Sequence, residues 1–188
     1  MRRIDRQPFA MSVPMNDIPR NDDDPEVIVF NLKKRYTGVS ATVNALVPLQ
    51  FSQWRLAYCG TPLSNGVVGW TLRQAINVSK RPPVNRAFRI WHVRRDHEMM
   101  AGLWARDFLR LPIRLVFTSA AQHRHGWFPR WLISRMDAVI STTPLAAHFV
   151  PNTTAVVPHG IDLKRFNVPT DKTALWASTG LSGTYGIG

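Results

Sequence analysis

The segment IWHVRRDHEM carries the densest chemistry in the chain: His92, then Arg94 and Arg95, then Asp96, His97 and Glu98. It overlaps the end of an apolar run, AFRIWHVR, that has the composition of a buried strand. Open α/β sheets bind ligands outside the carboxyl ends of their strands. Two adjacent guanidinium groups at such an end suit an anion, because arginine pairs bidentately with carboxylate or phosphate. A bland arrangement stays open beside this one: a hydrogen-bonded, half-buried His92, a solvated arginine loop, and Glu98 as an acidic residue in the first turn of a helix.

A second candidate is the turn in EVIVFNLKKRYTGVSATV, where Gly38, Val39 and Ser40 open a helix. Glycine permits close backbone approach, and free N–H groups at a helix start favour phosphate. An ordinary turn glycine is the competing reading, and no G-x-G-x-x-G fingerprint supports a dinucleotide cofactor. Ser119 and Gln122 follow another apolar run, IRLVFTS, with His123 and His125 close behind as either ligand contacts or surface loop. The histidines match no zinc spacing and Cys59 is remote, so no metal is expected. The absence of G-x-S-x-G argues against a nucleophilic hydrolase.

These residues need a scaffold, and the pattern of the chain supplies one. Six short apolar runs alternate with helix-like segments: EVIVFNLK from Glu26, Trp54–Gly60, Ala87–Arg94, Ile113–Ser119, Ala138–Thr142 and Thr154–Val157. Helices are expected after Gly38, around Trp70–Val78, over Glu98–Leu111 until Pro112, over Trp127–Met136 and over Pro144–Val150. The helix over Glu98–Leu111 has Met99, Leu103, Phe108 and Leu111 on one apolar face. Apolar rather than alternating strands point to a parallel sheet covered on both faces, a Rossmann-like, doubly wound α/β domain over residues 26–166. Residues 1–25, with four prolines and the run Asp22-Asp23-Asp24, read as a disordered tail. Residues 167–188 read as a linker, a short helix and the opening of another element, as if a further domain followed.

Composition narrows the partners. The 188-residue chain carries a formal charge of +12, with 24 Lys and Arg against 12 Asp and Glu, and 45% hydrophobic residues. The positive charge belongs to the folded body, which makes an anionic partner expected. One cysteine excludes an internal disulfide. The first residues lack the apolar run of a secretory signal, and the two long uncharged stretches are broken by polar residues or proline. No helix-turn-helix, RRM or KH signature supports specific nucleic-acid binding. Two segments, WARDFLRLPIR and WFPRWLISRMD, interleave Arg and Trp with apolar residues, a composition that suits either an anionic leaflet or a core-facing stripe with a basic back.

The ordered set EVIVFNLKKRYTGVSATV, WHVRRDHEM, LVFTSAAQ and VVPHGIDLKRF resembles the N-terminal half of retaining GT-B glycosyltransferases of family 4. With RWLISRMDAVIST added, it is similar in particular to the bacterial lipopolysaccharide-core mannosyltransferases. The resemblance covers residues 26–188. It implies a nucleotide sugar, GDP-mannose, as donor; a lipid-linked saccharide as acceptor; and work at the inner, cytoplasmic face of the membrane without a resident cofactor. It implies acceptor contacts from Arg94, Arg95, Ser119 and Gln122, a catalytic part for His92, and a donor-phosphate loop at Gly38, Val39 and Ser40. His159, Gly160 and Asp162 fall in the interdomain crossover. Ser119 stands where relatives often carry a histidine, so that histidine's role does not transfer. The family's donor-side E-x7-E region lies beyond this chain, which is therefore expected to be truncated. A non-catalytic remnant and a basic anion- or nucleic-acid-binding module are the alternatives.

Overall fold

A computed structural model describes residues 22–64, 66–160 and 170–178, with 180 and 183. Six strands form one all-parallel sheet: β1 (Val27–Asn31), β2 (Leu56–Gly60), β3 (Arg89–Val93), β4 (Ile113–Ser119), β5 (Ala138–Ser141) and β6 (Ala155–Val156). Their order is β2-β1-β3-β4-β5-β6. The connections are α1 (Gly38–Phe51), α2 (Leu72–Val78), α3 (Asp96–Leu103), α4 (Trp127–Ser134) and α5 (Pro144–Phe149). This is the α/β Rossmann-like class expected from the alternation of strand and helix patterns. The chain reverses direction across the sheet between β1 and β3, which is the topological switch point where such sheets leave a crevice.

Each face of the sheet holds its own core. Ile28, Phe30, Trp91, Val93, Leu115 and Phe117 pack against Ala75 of α2, Met99 and Leu103 of α3, and Leu132 and Ile133 of α4. On the other face Val29, Leu56 and Tyr58 pack against Val43 and Val47 of α1 and against Leu63 and Val67. Burial of the strands is uneven. Four of the five β1 residues are buried, whereas β3 alternates buried with half-buried positions, so Ile90 and His92 look out on a less covered face. Gly60 is required where it stands: its φ is +151°, and a Cβ there would lie 2.2 Å from the Asn31 carbonyl oxygen. That close approach brings the end of β2 against the end of β1.

Three expectations change. The helix read through Leu111 is α-helical only to Leu103 and continues as one π-turn, Trp104–Phe108, in which Leu109 N–H bonds back to the Trp104 carbonyl. The extra residue in that turn rotates Phe108 out of the apolar face, and it is 75% exposed, while Ala105 takes the buried position. The chain then leaves the helix through Arg110, at φ +54°, before Pro112 is reached. The sixth strand shrinks to two exposed residues at the sheet edge.

The acidic run assigned to the tail belongs to the body. Asp22 N–H bonds to the Leu56 carbonyl, and Pro25 is buried. Asp24 meets the guanidinium of Arg89, which is 1% exposed, at 2.7 Å. Arg89 also donates to the Pro25, Val78 and Arg81 carbonyls, so a fully buried arginine is satisfied only with residues 24 and 25 in place.

Residues 22–158 make one compact unit, and 159 onward fall in a second that contains α6 (Lys172–Ser178), the short helix expected there. The tail before Asp22, Asp162 of the crossover and the final TYGIG lie outside the described residues.

Candidate functional site

The carboxyl ends of β1 and β3 meet at the switch point, and a buried polar network joins them. β1 ends on Asn31, 2% exposed, a polar residue closing an apolar strand. Its amide Nδ2 donates to the Tyr58 hydroxyl at 3.2 Å, and that hydroxyl donates to the Thr61 carbonyl at 2.7 Å. Burial pushes the Tyr58 phenol above its ordinary value, so it stays a donor. Asn31 Oδ1 accepts from Arg95 Nη1 at 2.6 Å.

Arg95 is the hub. It is the residue before α3, and its guanidinium turns back across the crevice to the loop that opens α1. Nη2 donates to Thr37 Oγ1 at 2.9 Å and to Ser40 Oγ at 3.2 Å, and Nη1 also meets Glu98 Oε1 at 3.3 Å. The sequence reading grouped Arg95 with Arg94 as an anion contact, and in the structure the two part company. Arg95 is bound to four protein side chains and holds the Gly38 loop in place.

Thr37 is the N-cap residue of α1, yet its hydroxyl makes no cap bond because it accepts from Arg95 instead. No acidic residue stands in the first turn of α1 and no side chain caps it, so among the described residues the N–H groups of Gly38, Val39 and Ser40 have no side-chain acceptor. A Cβ on Gly38 would meet nothing within 4 Å, so nothing in the fold itself requires glycine there. Beside this loop a cleft of about 180 Å³ is lined by Asn31, Lys33, Lys34, Ser40, Asn44 and Thr61. A larger hollow of about 450 Å³, lined by Asp24, Lys80, Arg81 and Val84, lies at the opposite, amino-terminal edge of the sheet, away from these groups.

Glu98 is the anion of the network and is 1% exposed. Oε1 accepts from Leu32 N–H at 3.0 Å and Oε2 from Arg94 N–H at 2.8 Å, so one carboxylate ties the chain leaving β1 to the chain leaving β3. Its position in the first turn of α3 was legible; that it turns inward was not.

Arg94 is different from every other residue here. It is half-buried, its Nε is buried without a hydrogen-bond partner, and its guanidinium makes no ion pair among the described residues. Burial pulls its pKa below the ordinary arginine value, with Glu98 opposing and Arg95 adding to the shift, and the group remains charged at neutral pH. An under-solvated cation at the switch point is a place for an anion.

His92 lies on β3, two residues before Arg94, which directly follows the strand. Its Nε2 is 2.7 Å from Thr118 Oγ1 of β4. Thr118 was missed from sequence because the register His92↔Val116 that brings it near is a tertiary fact. Burial, with the charge of Arg94 nearby, pushes the imidazole down to about 3, so it is neutral at pH 7. A base of that strength takes protons poorly, and its Nε2 is engaged in the hydrogen bond with Thr118. The native state keeps the ring neutral while the unfolded chain protonates near 6.5. This contribution to stability is therefore whole above pH 6.5 and is lost as pH falls towards 3. Urea midpoints measured across that window should fall more steeply for the native chain than for His92→Asn.

Ser119 and Gln122 share this sheet edge without joining the network. Ser119 is 3% exposed and its hydroxyl accepts from Ala121 N–H, whereas Gln122 is exposed. The His123 and His125 rings stand 6.3 Å apart in the following loop. Among the described residues, no three of His, Cys, Asp and Glu come together as a metal site. His159 and Gly160 are exposed and belong to the second unit.

No family model and no solved structure matches the chain. Two curated proteins do. Over 166 residues it is 39% identical to the lipopolysaccharide core biosynthesis mannosyltransferase LpcC of Rhizobium leguminosarum bv. viciae, covering 88% of this chain and 47% of that protein. Over 161 residues it is 44% identical to the lipopolysaccharide core biosynthesis mannosyltransferase LpsB of Rhizobium meliloti (strain 1021), covering 84% and 45%. The chain thus spans about half the length of the curated relatives it matches, and along most of its own length it is a relative of the lipopolysaccharide core biosynthesis mannosyltransferases.

Proposed function

We propose that this chain is the acceptor-side half of a retaining GT-B glycosyltransferase of family 4. The whole enzyme would transfer a hexose, mannose from GDP-mannose, to the lipopolysaccharide core or another lipid-linked saccharide at the inner face of the cytoplasmic membrane. The observation that carries this reading is Arg94, a half-buried arginine whose Nε has no hydrogen-bond partner among the described residues, at the switch point of a chain similar to proteins named as core mannosyltransferases.

Each group then has a task. Arg94 holds an acidic group of the acceptor, and neutral His92 orients the acceptor hydroxyl. The N–H groups of Gly38, Val39 and Ser40 face the donor diphosphate, with Arg95 fixing their loop rather than touching substrate. Ser119 and Gln122 border the acceptor at the same edge. His159, Gly160 and Asp162 lead towards the donor-binding half. Catalysis in this reading comes from orientation and from stabilising the departing diphosphate, with no resident cofactor.

The test is transfer of radiolabelled mannose from GDP-mannose to lipid-linked core acceptor. The protein is this chain joined to the part of the Rhizobium meliloti relative that it does not match. Mannose transfer supports the reading, and an inactive but folded joined protein overturns it. Gly38→Ala sharpens the test. Its methyl meets open space, so stability should stay within about 0.5 kcal/mol. Transfer should nevertheless fall about tenfold or more, because the methyl intrudes where the diphosphate approaches the backbone.

A further inference from the structure

The cleft beside the Gly38 loop has a lining that the Arg94 corner does not share. Lys33 and Lys34 stand on its rim, both exposed, neither in an ion pair among the described residues, and no acidic side chain lines it. Tyr36 and Pro62 add apolar surface, and Thr61 adds a hydroxyl. The walls are set before anything binds. Asn44 Nδ2 on α1 donates to the Ser40 carbonyl at 2.9 Å. Its Oδ1 accepts from the Ser64 N–H at 2.8 Å and the Ser64 hydroxyl at 2.9 Å, so α1 is tied to the loop after β2. The Tyr58 hydroxyl holds Thr61 of the same loop by its carbonyl. A hollow held open in this way spends little binding energy on being ordered.

Size and lining decide what fits. At ~30 Å³ of liquid volume per water, the 180 Å³ of the cleft is the room of about six waters. That holds one sugar ring with an acidic group and is too small for a nucleoside diphosphate. A bare inorganic anion would meet the lysines and leave the apolar walls unused. Position separates the cleft from Arg94. β2 and β3 flank β1 on opposite sides. The cleft lies on the β2 side, whereas Arg94 follows β3. Two strand spacings, about 10 Å, lie between, and the bonds from Arg95 to Asn31 and Ser40 fill them. One acidic group does not span that distance, so the two places receive different groups.

We infer that the Lys33–Lys34 cleft is a subsite for one acidic sugar residue, a second anion on the saccharide whose first anion Arg94 holds. The pairing with Arg94 on one acceptor rests on the transferase reading, whereas binding of an acidic sugar in the cleft does not.

Titration of the isotope-labelled full chain, followed by amide chemical shifts, tests this without reading sugar transfer. The ligands are glucuronate, glucose phosphorylated on its primary hydroxyl, glucose itself and inorganic phosphate. An acidic sugar should move the Lys33, Lys34, Thr61 and Ser64 amides in the millimolar range, and the tighter of the two names the acidic group. Glucose and inorganic phosphate should bind about tenfold more weakly or not at all. Lys33→Gln/Lys34→Gln should weaken the acidic sugar about fivefold to tenfold. Lys80→Gln/Arg81→Gln, at the hollow on the opposite edge of the sheet, should leave it unchanged. All four side chains are exposed, and the amide spectrum away from the cleft checks that each variant is folded. In the protein completed with a donor-binding half, the Lys33/Lys34 variant should raise KM for the acceptor about tenfold and leave the donor KM as it was. Failure of both acidic sugars to bind, equal binding of inorganic phosphate, undiminished binding by the folded Lys33/Lys34 variant, or a rise in donor KM instead would each overturn the inference. A joined protein that binds acidic sugar in the cleft and transfers nothing would sink the transferase reading and leave the subsite standing.

Discussion

Replacing Glu98 by alanine should lower the unfolding free energy by about 3–5 kcal/mol, the usual result of removing one member of a buried charged pair. The magnitude follows from what the carboxylate accepts: Leu32 N–H, Arg94 N–H and the Arg95 guanidinium, all in a place where water does not replace it. Each donor left without a partner costs about 1–3 kcal/mol. Glu98→Gln should fall between the two, since an amide oxygen can still accept from one of the backbone groups while its NH₂ faces donors. Urea unfolding of the three chains, followed by circular dichroism, reads the order directly. Equal stability of native and alanine chains would mean that the ends of β1 and β3 are held by packing alone.

Arg94 should behave in the opposite way. Arg94→Met keeps much of the side-chain volume and removes a desolvated cation whose Nε has no hydrogen-bond partner among the described residues. Its melting temperature should match or exceed that of the native chain. In the enzyme completed with a donor-binding half, the same change should reduce kcat/KM for the acceptor about a hundredfold, the scale of losing one desolvated, hydrogen-bonded charge pair with a ligand. Arg94→Lys should recover little of it, because an ammonium group lacks the two-pronged geometry. A folded Arg94→Met enzyme with native transfer rates would remove Arg94 from the site. Stability and activity moving in opposite directions distinguish this residue from Arg95 and Glu98, whose loss harms both.

Much of this fold was legible in the chain because a parallel sheet announces itself. Buried strands such as VIVFN and IRLVFTS are apolar runs bounded by turn residues, and β4 matches its expected limits residue for residue. The sequence hides the π-turn: WARDF has the composition of an α-helix, and the bond from Leu109 N–H to the Trp104 carbonyl, with Ala105 packed against the core, shows that one residue has been inserted. The docking of Asp22–Pro25 was equally silent, since a proline-rich acidic run looks the same whether or not a buried arginine waits for it. At the site, strand-end position pointed to His92, Arg94 and Arg95 together. What separates their roles is whether each side chain finds a partner, and those partners, Asn31, Thr37 and Thr118, come from strands and loops far away in sequence. Composition carries no register, so it could not choose among them.

The Arg89 latch bears on how this protein is cut and handled. The change in composition near residue 25 invites a protein chemist to begin a shortened version at Glu26. That cut deletes the Asp24 carboxylate and the Pro25 carbonyl, the two acceptors that come from before β1, and leaves a charged guanidinium in the interior with half its bonds. A version beginning at Met15 keeps both. Proteases meet the same geometry: cleavage ahead of Asp22 spares the latch, whereas a nick between Asp24 and Glu26 frees the first strand's anchor and exposes the adjoining ends of β1 and β3 to digestion.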